Sequence, residues 1–566
     1  MKRNLSVLLV AALVIALPFI FRQETEEEQW TPGDPVLVVI SPHNEAIRYE
    51  FGRAFNRWHI EHHDVPVKID WRIIGGTSEI ARYMEGETQS AFRAWWTGTE
   101  GHDWPQGGTF ALTNHRFQPE GADPELLALH TALRETDDPT AFGTGLDLFF
   151  GGGEYDHSRA YAKGLTVNPW PEGVPEEVVS LETGQVMIPK RLSGETWRAE
   201  GFMGTALSTF GIVYNYDRLA DLGVVDPPLR WVDLTNPVYH RQLGVADPTK
   251  SGSVAKAFEM IIHQQINQAV EAAGFSWETE YGLDSDHPAY RAAIEAGWLE
   301  GINLVRLIGA NARYFTDSAG KVPIDVSTGN AAVGLAIDFY GRYQAETSRD
   351  PETGEERMRY VTPVGGSSVS CDPVSLVRGA PHRELAVRFI EFAVSTEGQR
   401  LWNYRPGTEG GPDKFALRRL PIRRDFYPAE DPVIQRRHAQ HAPHTSDDLS
   451  DETVNPYHLA SQFTYVSGWT GRHFGIHRNL IRAMCLDSGD ELSEAWAAIA
   501  RAGGPQAVPE AMEALLALPE GVTWGGVLDP DRYSSANQMT YMREWVLFFR
   551  EHYRRARKLA EEKNDA

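Results

Sequence analysis

Two cysteines in 566 residues, Cys371 and Cys485, leave room for one disulfide at most, so no disulfide-stapled scaffold is encoded. No cysteine pair supports a structural zinc, and HExxH is absent, which removes the usual helical zinc-hydrolase signature. Basic residues are outnumbered by acidic ones, 54 to 78, for a formal charge of -24. That balance speaks against nucleic-acid binding, which needs clustered cations to displace counterions from phosphates. Neither GxxxxGK[ST] nor GxGxxG occurs, so no nucleotide loop is written in the chain. The GxSxG elbow of hydrolases is missing as well; "GGSSVS" at 365 to 370 lacks the second glycine. In so acidic a chain no Asp/Glu pair can be singled out for acid-base work. After the N-terminus, no segment is long and apolar enough to span a bilayer.

What is present suits packed cores. Hydrophobic residues make up 42% of the chain and aromatic residues 11%, with 16 tryptophans, and the length fits two to four domains at ~150 residues each. Lys2 and Arg3 precede an apolar run from Leu5 to Phe21, broken only by Ser6, and an acidic tract from Glu24 to Glu28 follows. Cationic then apolar is an export signal, and the charge asymmetry keeps the first residues inside and exports the rest. The flank from Pro18 to Arg22 offers no small-x-small cleavage site, and no cysteine stands nearby to carry a lipid. Residues 1–22 are therefore expected to be an uncleaved anchor on an extracytoplasmic body.

Beyond the linker Trp30 to Pro35, strands and helices alternate. "VLVVI" (36 to 40) reads as a buried strand, followed by a helix with Ile47, Phe51, Ala54, Phe55 and Trp58 at helical spacing. "VPVKIDWRII" is a second strand and "GGTSEIARYM" opens a second helix, with Thr77 or Ser78 as its cap. "LDLFF" is a third strand. This alternation predicts a parallel α/β sheet, interrupted by a Gly-, Pro- and Trp-rich insertion at 85–143. Ser208 to Tyr216 is again strand-like, and a helix enters through Ser251, Gly252 and Ser253. From about Pro432 the pattern is mostly helical.

Three local features invite a chemical reading. The run "DLFFGGGEYDH" at 147 to 157 looks like a phosphate cradle, but it lacks the lysine and hydroxyl, and Glu154 and Asp156 repel anions. A glycine turn without a ligand and a backbone edge lining a ligand cleft both stay open. "KSGSVAKAF" and "GGTSEI" place free N–H groups at helix N-termini, which suit a carboxylate, phosphate, sulfate or sugar hydroxyl, or plain capping. The histidines of "HIEHHD" (59 to 64) and "HAQHAPH" (438 to 444) read as solvated helix ends.

Taken in order, "LVVISPHNEAIRYEFGRAFNRW", "GGTSEIAR", "LDLFFGGGEYDHSRAYAKGL", "STFGIVYNYDRLADLGV", "RWVDLTNPVYHRQLGVADPTKSGS", "GNAAVGLAIDFYGR" and "AVRFIEFAVSTEGQRLW" resemble the bacterial extracellular solute-binding proteins of ABC importers, family 1, including their ferric-iron-type branch. The resemblance covers roughly residues 36 to 425. It implies a two-lobed α/β fold of the type II periplasmic-binding-protein kind with a hinge, plus a helical C-terminal extension. The first lobe would comprise 36–207 and 362–420, the second 208–361, and the extension 421–566 would pack on the second lobe after a crossing near Leu420. Cys371 and Cys485 would then sit on different lobes as free thiols.

Carried over by position, the ligand-binding residues would be Ser41, His43, Asn44, Thr77, Ser78, Gly152, Gly153, Ser208, Thr209, Ser251, Ser253, Asp338 and Tyr340. The resemblance implies a small-molecule solute (sugar, polyol, small anion or metal complex) as ligand and an ABC permease as partner. It implies no cofactor, no resident metal, no nucleic acid and no enzymatic activity. The adjacent tyrosine pair that ligates iron in ferric-binding members is missing; "YNY" at 214 to 216 is the nearest pattern. Two other readings stand beside this one: a membrane-anchored sensor or interaction module of the same fold, and a hydrolase with its site in the insertion.

Overall fold

The computed structural model describes residues 30–276 and 287–564. The expected N-terminal anchor lies outside the described residues; within them no helix is long and apolar enough to cross a membrane.

The first strand, β1 (Val36–Ile40), is the expected apolar run. Helix α1 (Glu45–His63) starts at Asn44, whose side chain accepts the Ile47 N–H, and it buries Ile47, Phe51, Ala54 and Phe55 along one stripe. Strands β2 (Lys68–Arg72) and β3 (Leu148–Phe150) pair in parallel with β1. They are followed by α2 (Thr77–Ala94) and α3 (Glu154–Ala162). The insertion begins later than expected, because α2 continues to Ala94. It closes over a small core of its own, built on Phe92, Leu112, Leu129, Leu133 and Phe142.

After β4 (Phe202–Ser208) a single residue, Thr209, separates the chain from β5 (Phe210–Asn215), which belongs to a different sheet. That second sheet gains β6 (Leu243–Ala246), α4 (Gly252–Ala272), α5 (Pro288–Ala310), β7 (Ala312–Thr316), β8 (Val333–Ile337), α6 (Asp338–Thr347) and β9 (Met358–Val361). Its strand order is β7-β6-β8-β5-β9. The chain returns as β10 (Ser370–Val377), continues through α7 (Arg383–Val394) and α8 (Thr396–Asn403), and adds β11 (Leu420–Pro421). The first sheet runs β11-β4-β10-β3-β1-β2. Ser208 pairs with Ser370 across β4 and β10, so two of the interlobe connections lie side by side, the geometry of a hinge.

The extension does not pack as expected. Phe426, Tyr427, Ile434, Leu449 and Leu459 belong to the core of the first lobe, and Tyr427 and Tyr457 donate their hydroxyls to the Pro421 and Ile422 carbonyls, each at 2.7 Å. Only from Phe463 onward do buried side chains join the second lobe's core. The third crossing therefore falls between Ala460 and Phe463 rather than near Leu420. In this region α9 (Pro432–His441) lies on the first lobe. Helices α10 (Phe474–Ile481), α11 (Gly489–Arg501), α12 (Pro509–Leu516) and α13 (Gln538–Asn564) complete the second.

Two further expectations change. His59, His438 and His441 are buried rather than solvated. The His441 ring stacks on Phe426 with centroids 4.0 Å apart and is hydrogen-bonded to the Tyr404 hydroxyl at 2.7 Å. Thr77 and Ser78 do not cap α2; the N-cap is Gly76, with no side-chain bond to the first turn. Cys371 and Cys485 are free and buried, the one in the first lobe's core and the other in the second's.

Candidate functional site

Between the lobes lies a cavity of about 1220 Å³, lined from both. Its first-lobe wall is made where strands end and helices begin, the position at which open α/β sheets present ligand sites. His43 stands between β1 and α1, Gly76 and Thr77 at the start of α2, and Gly152 and Gly153 at the start of α3. Neither of those two helix starts is closed by a side chain, which leaves first-turn N–H groups there without a side-chain acceptor.

The glycine run has a steric purpose. Gly151 and Gly152 adopt φ of 99° and 109°, conformations costly for residues with a Cβ. A Cβ on Gly151 would sit 2.6 Å from the His43 ring, and one on Gly152 would sit 2.5 Å from the Thr77 methyl. The run lets three cavity-edge loops approach one another; it is a wall of the cleft and not a phosphate cradle. Gly151→Ala and Gly152→Ala should each lower stability by roughly 2–4 kcal/mol. Gly153 has φ of -108° and open space about its α-carbon, so Gly153→Ala should be close to neutral. Urea-denaturation midpoints of the three variants check this; equal midpoints would remove the steric account.

The floor is polar and buried. The Arg419 guanidinium reaches the Asp372 carboxylate at 2.5 Å and donates to Ser208 Oγ at 3.1 Å. It also lies 3.2 Å from His43 Nε2, which is itself 3.4 Å from Asp372. Burial would push the Asp372 carboxyl up, but Arg419 and His43 bring it down to about 2. Burial lowers the His43 pKa, so its imidazole is held neutral. From the second lobe Phe339 covers the group, its ring centroid 4.0 Å from the Arg419 guanidinium carbon, and Tyr340 packs on Phe339.

A second charged group spans the lobes. Lys256, on α4, sits 3.2 Å from both Glu259 on its own helix and Glu195 of the first lobe. Its ammonium lies 3.8 Å from the Tyr465 ring centroid, a cation–π distance. Tyr465 donates its hydroxyl to Glu259 at 2.6 Å and its N–H to the Ser193 carbonyl at 2.8 Å. The third crossing strand of the chain is thus stitched to both lobes beside the cavity. Burial works against the Lys256 charge, but Glu195 and Glu259 outweigh it and hold the pKa well above its usual value.

Residues 183–408 match the family model of the bacterial extracellular solute-binding proteins. The match covers less than half of the chain. An uncharacterised protein of Haemophilus influenzae is 24% identical over 255 residues, 45% of this chain and 60% of that protein's own length. Among solved structures, the periplasmic binding protein AfuA of Actinobacillus pleuropneumoniae, with fructose-6-phosphate bound, is similar at 17% identity (65% of this chain, 81% of that one, TM-score 0.41). The substrate-binding protein PotD of a Streptococcus pneumoniae spermidine/putrescine transporter is similar at 13% (79% and 99%, TM-score 0.43). Iron-bound HitA of Pseudomonas aeruginosa is similar at 15% (64% and 82%, TM-score 0.35).

Of the residues expected to bind solute, His43, Thr77, Gly152, Gly153, Ser208, Ser251, Ser253 and Tyr340 line the cavity. The other five serve the framework behind it. Ser41 is buried and its hydroxyl accepts the His43 N–H, Asn44 caps α1, and Ser78 meets Arg478 at 3.4 Å. Thr209 bonds the Tyr360 and Thr362 hydroxyls at 3.0 Å. Asp338 accepts the Phe339 N–H at 2.8 Å, and burial raises its carboxyl to about 6. Tyr214 and Tyr216 pack edge to face at 5.3 Å, away from the cavity lining. Among the described residues no group of three or more His, Cys, Asp or Glu is placed to hold a metal ion.

The residues that sequence reasoning missed are the charged ones: Arg419, Asp372, Lys256, Glu195 and Glu259. Little marks them in so charged a chain, because they come from four separate stretches. Ser253 and Lys256 do form a Ser-x-x-Lys spacing, the arrangement of serine acyl-transfer enzymes. Held between two carboxylates, however, the Lys256 ammonium has no lone pair with which to take a hydroxyl proton.

Proposed function

We propose that this chain is an extracytoplasmic solute receptor that captures a small ligand between its two lobes and delivers it to an ABC-type importer. The observation that carries the reading is the interlobe cavity, lined from both lobes beside two adjacent backbone crossings. Capture in such a site is a shift of population between open and closed lobes and needs no covalent step. Closure would bring Lys256 to Glu195 and Phe339 onto Arg419, contacts that exist only while the lobes are together. Residues 1–22 would tether the body to the outer face of the membrane, next to the permease.

Thermal-shift screening of the full chain against sugars, polyols, small anions and ferric complexes tests this. A true ligand at 100 times its Kd should add about 2.7 kcal/mol of stability. A complete panel with no shift in any class overturns the receptor reading.

A further inference from the structure

The solute's chemical class follows from the cavity floor, given the receptor reading above. His43, Asp372 and Arg419 line the cavity, and each is more than nine-tenths buried. Each nevertheless keeps one polar atom without a hydrogen-bond partner: His43 Nδ1, Asp372 Oδ1 and Arg419 Nε. An unmatched buried donor or acceptor is costly, so three such side chains lining one cavity are arranged to meet something polar.

We propose that this trio reads hydroxyl groups of an uncharged polyhydroxylated solute, a sugar or polyol, admitted as Phe339 moves off Arg419. The Arg419 cation and the Asp372 anion cancel at 2.5 Å, so the floor offers donors and acceptors with no net charge. A hydroxyl can accept, as Arg419 Nε requires, and donate, as Asp372 Oδ1 requires, whereas an ammonium only donates and a carboxylate only accepts. A phosphate or carboxylate would meet the Asp372 carboxylate, and an ammonium would meet the guanidinium. Of the other cations of the lining, Lys256 lies between Glu195 and Glu259 and Lys250 stands 3.6 Å from Asp317, while Arg191 and Arg472 are exposed residues whose charges water and salt screen. Phe339 and Tyr340 supply the apolar faces against which a sugar ring packs.

Titration calorimetry of the full chain with D-glucose, D-fructose, myo-inositol and sucrose, alongside fructose 6-phosphate, spermidine and ferric citrate, tests the class. At least one uncharged compound should bind saturably and the three ionic ones should not. Asp372→Asn should weaken that binding at least tenfold and confer measurable affinity for fructose 6-phosphate, because Arg419 is then uncompensated. Arg419→Lys, which keeps the charge but loses Nε, should weaken it at least tenfold in protein whose near-UV circular dichroism shows it folded. Binding of an ionic compound alone overturns the polyol class and leaves the receptor standing. Undiminished polyol binding in folded Asp372→Asn or Arg419→Lys overturns the role of the trio. Silence from every class overturns both this proposal and the receptor.

Discussion

Ending the chain after Ala460 should abolish folding of the second lobe and yield insoluble protein or a species with no near-UV circular dichroism. Trp469, Leu480, Met484, Leu492, Trp496, Ile499, Leu515, Trp545, Phe549 and Tyr553 are all buried in one continuous core with Trp298, Val305 and Ile308 of α5. Each large apolar side chain buried is worth about 1.5–3 kcal/mol. Removing ten of them exceeds the whole stability of a typical domain, about 5–15 kcal/mol. Polar groups would be stranded as well. The fully buried Arg306 on α5 donates to the Leu515 and Ala517 carbonyls at the end of α12, and Trp298 donates to His477 at 2.9 Å. A soluble monomeric truncation with intact near-UV signal would show instead that the helical region is a separable module. As the contacts stand, the extension from Phe463 onward is the outer layer of the second lobe.

Acidification should destabilise the protein steeply between about pH 6.5 and pH 4. Burial is the main cause that lowers His157, His441 and His473 to about 4 and His263 to about 3. Their contribution to stability is complete above the unfolded value near 6.5. It is lost as pH falls toward the folded values, because the unfolded chain takes up the protons first. Each such group costs up to ~1.4 kcal/mol per pH unit in that window. Asp156 and Asp338 act in the opposite sense: burial raises both to about 6, so the folded state binds their protons first and gains stability between about 6 and 4. Four histidines against two aspartates leave a net loss on the order of 3 kcal/mol per pH unit. The urea midpoint should fall from pH 7.5 to pH 5, with no change in m-value. An unchanged midpoint at pH 5 would mean that these histidines titrate alike in the folded and unfolded chains.

Legibility in the sequence followed the range of the interactions. Val36–Ile40 was recognisable because a strand buried on both faces is apolar throughout, and α1 because Ile47, Phe51, Ala54 and Phe55 keep helical spacing. The cavity-edge loops could be placed because open sheets expose ligands at strand ends, and eight of the residues named on that ground do line the cavity. Ser41, Asn44, Thr209 and Asp338 share those loops but turn the other way, toward caps and buried hydroxyls, and Ser78 turns to Arg478 of the second lobe. A shift of one residue along a loop decides that, and no local pattern reports it.

By itself the sequence determined the elements, their alternation, the excess of acid and the absence of a nucleotide loop, since each depends on neighbours within a few residues. Tertiary structure alone decided that the extension divides at Phe463, and that Gly151 and Gly152 exist to admit His43 and Thr77. It also decided the pairing of Arg419 with Asp372 and His43, which lie 47 and 376 positions away along the chain. Charge pairs of that separation cost nothing to leave unmade in an extended chain. They form only when hydrophobic burial has already brought their strands together and removed the water that would otherwise screen them.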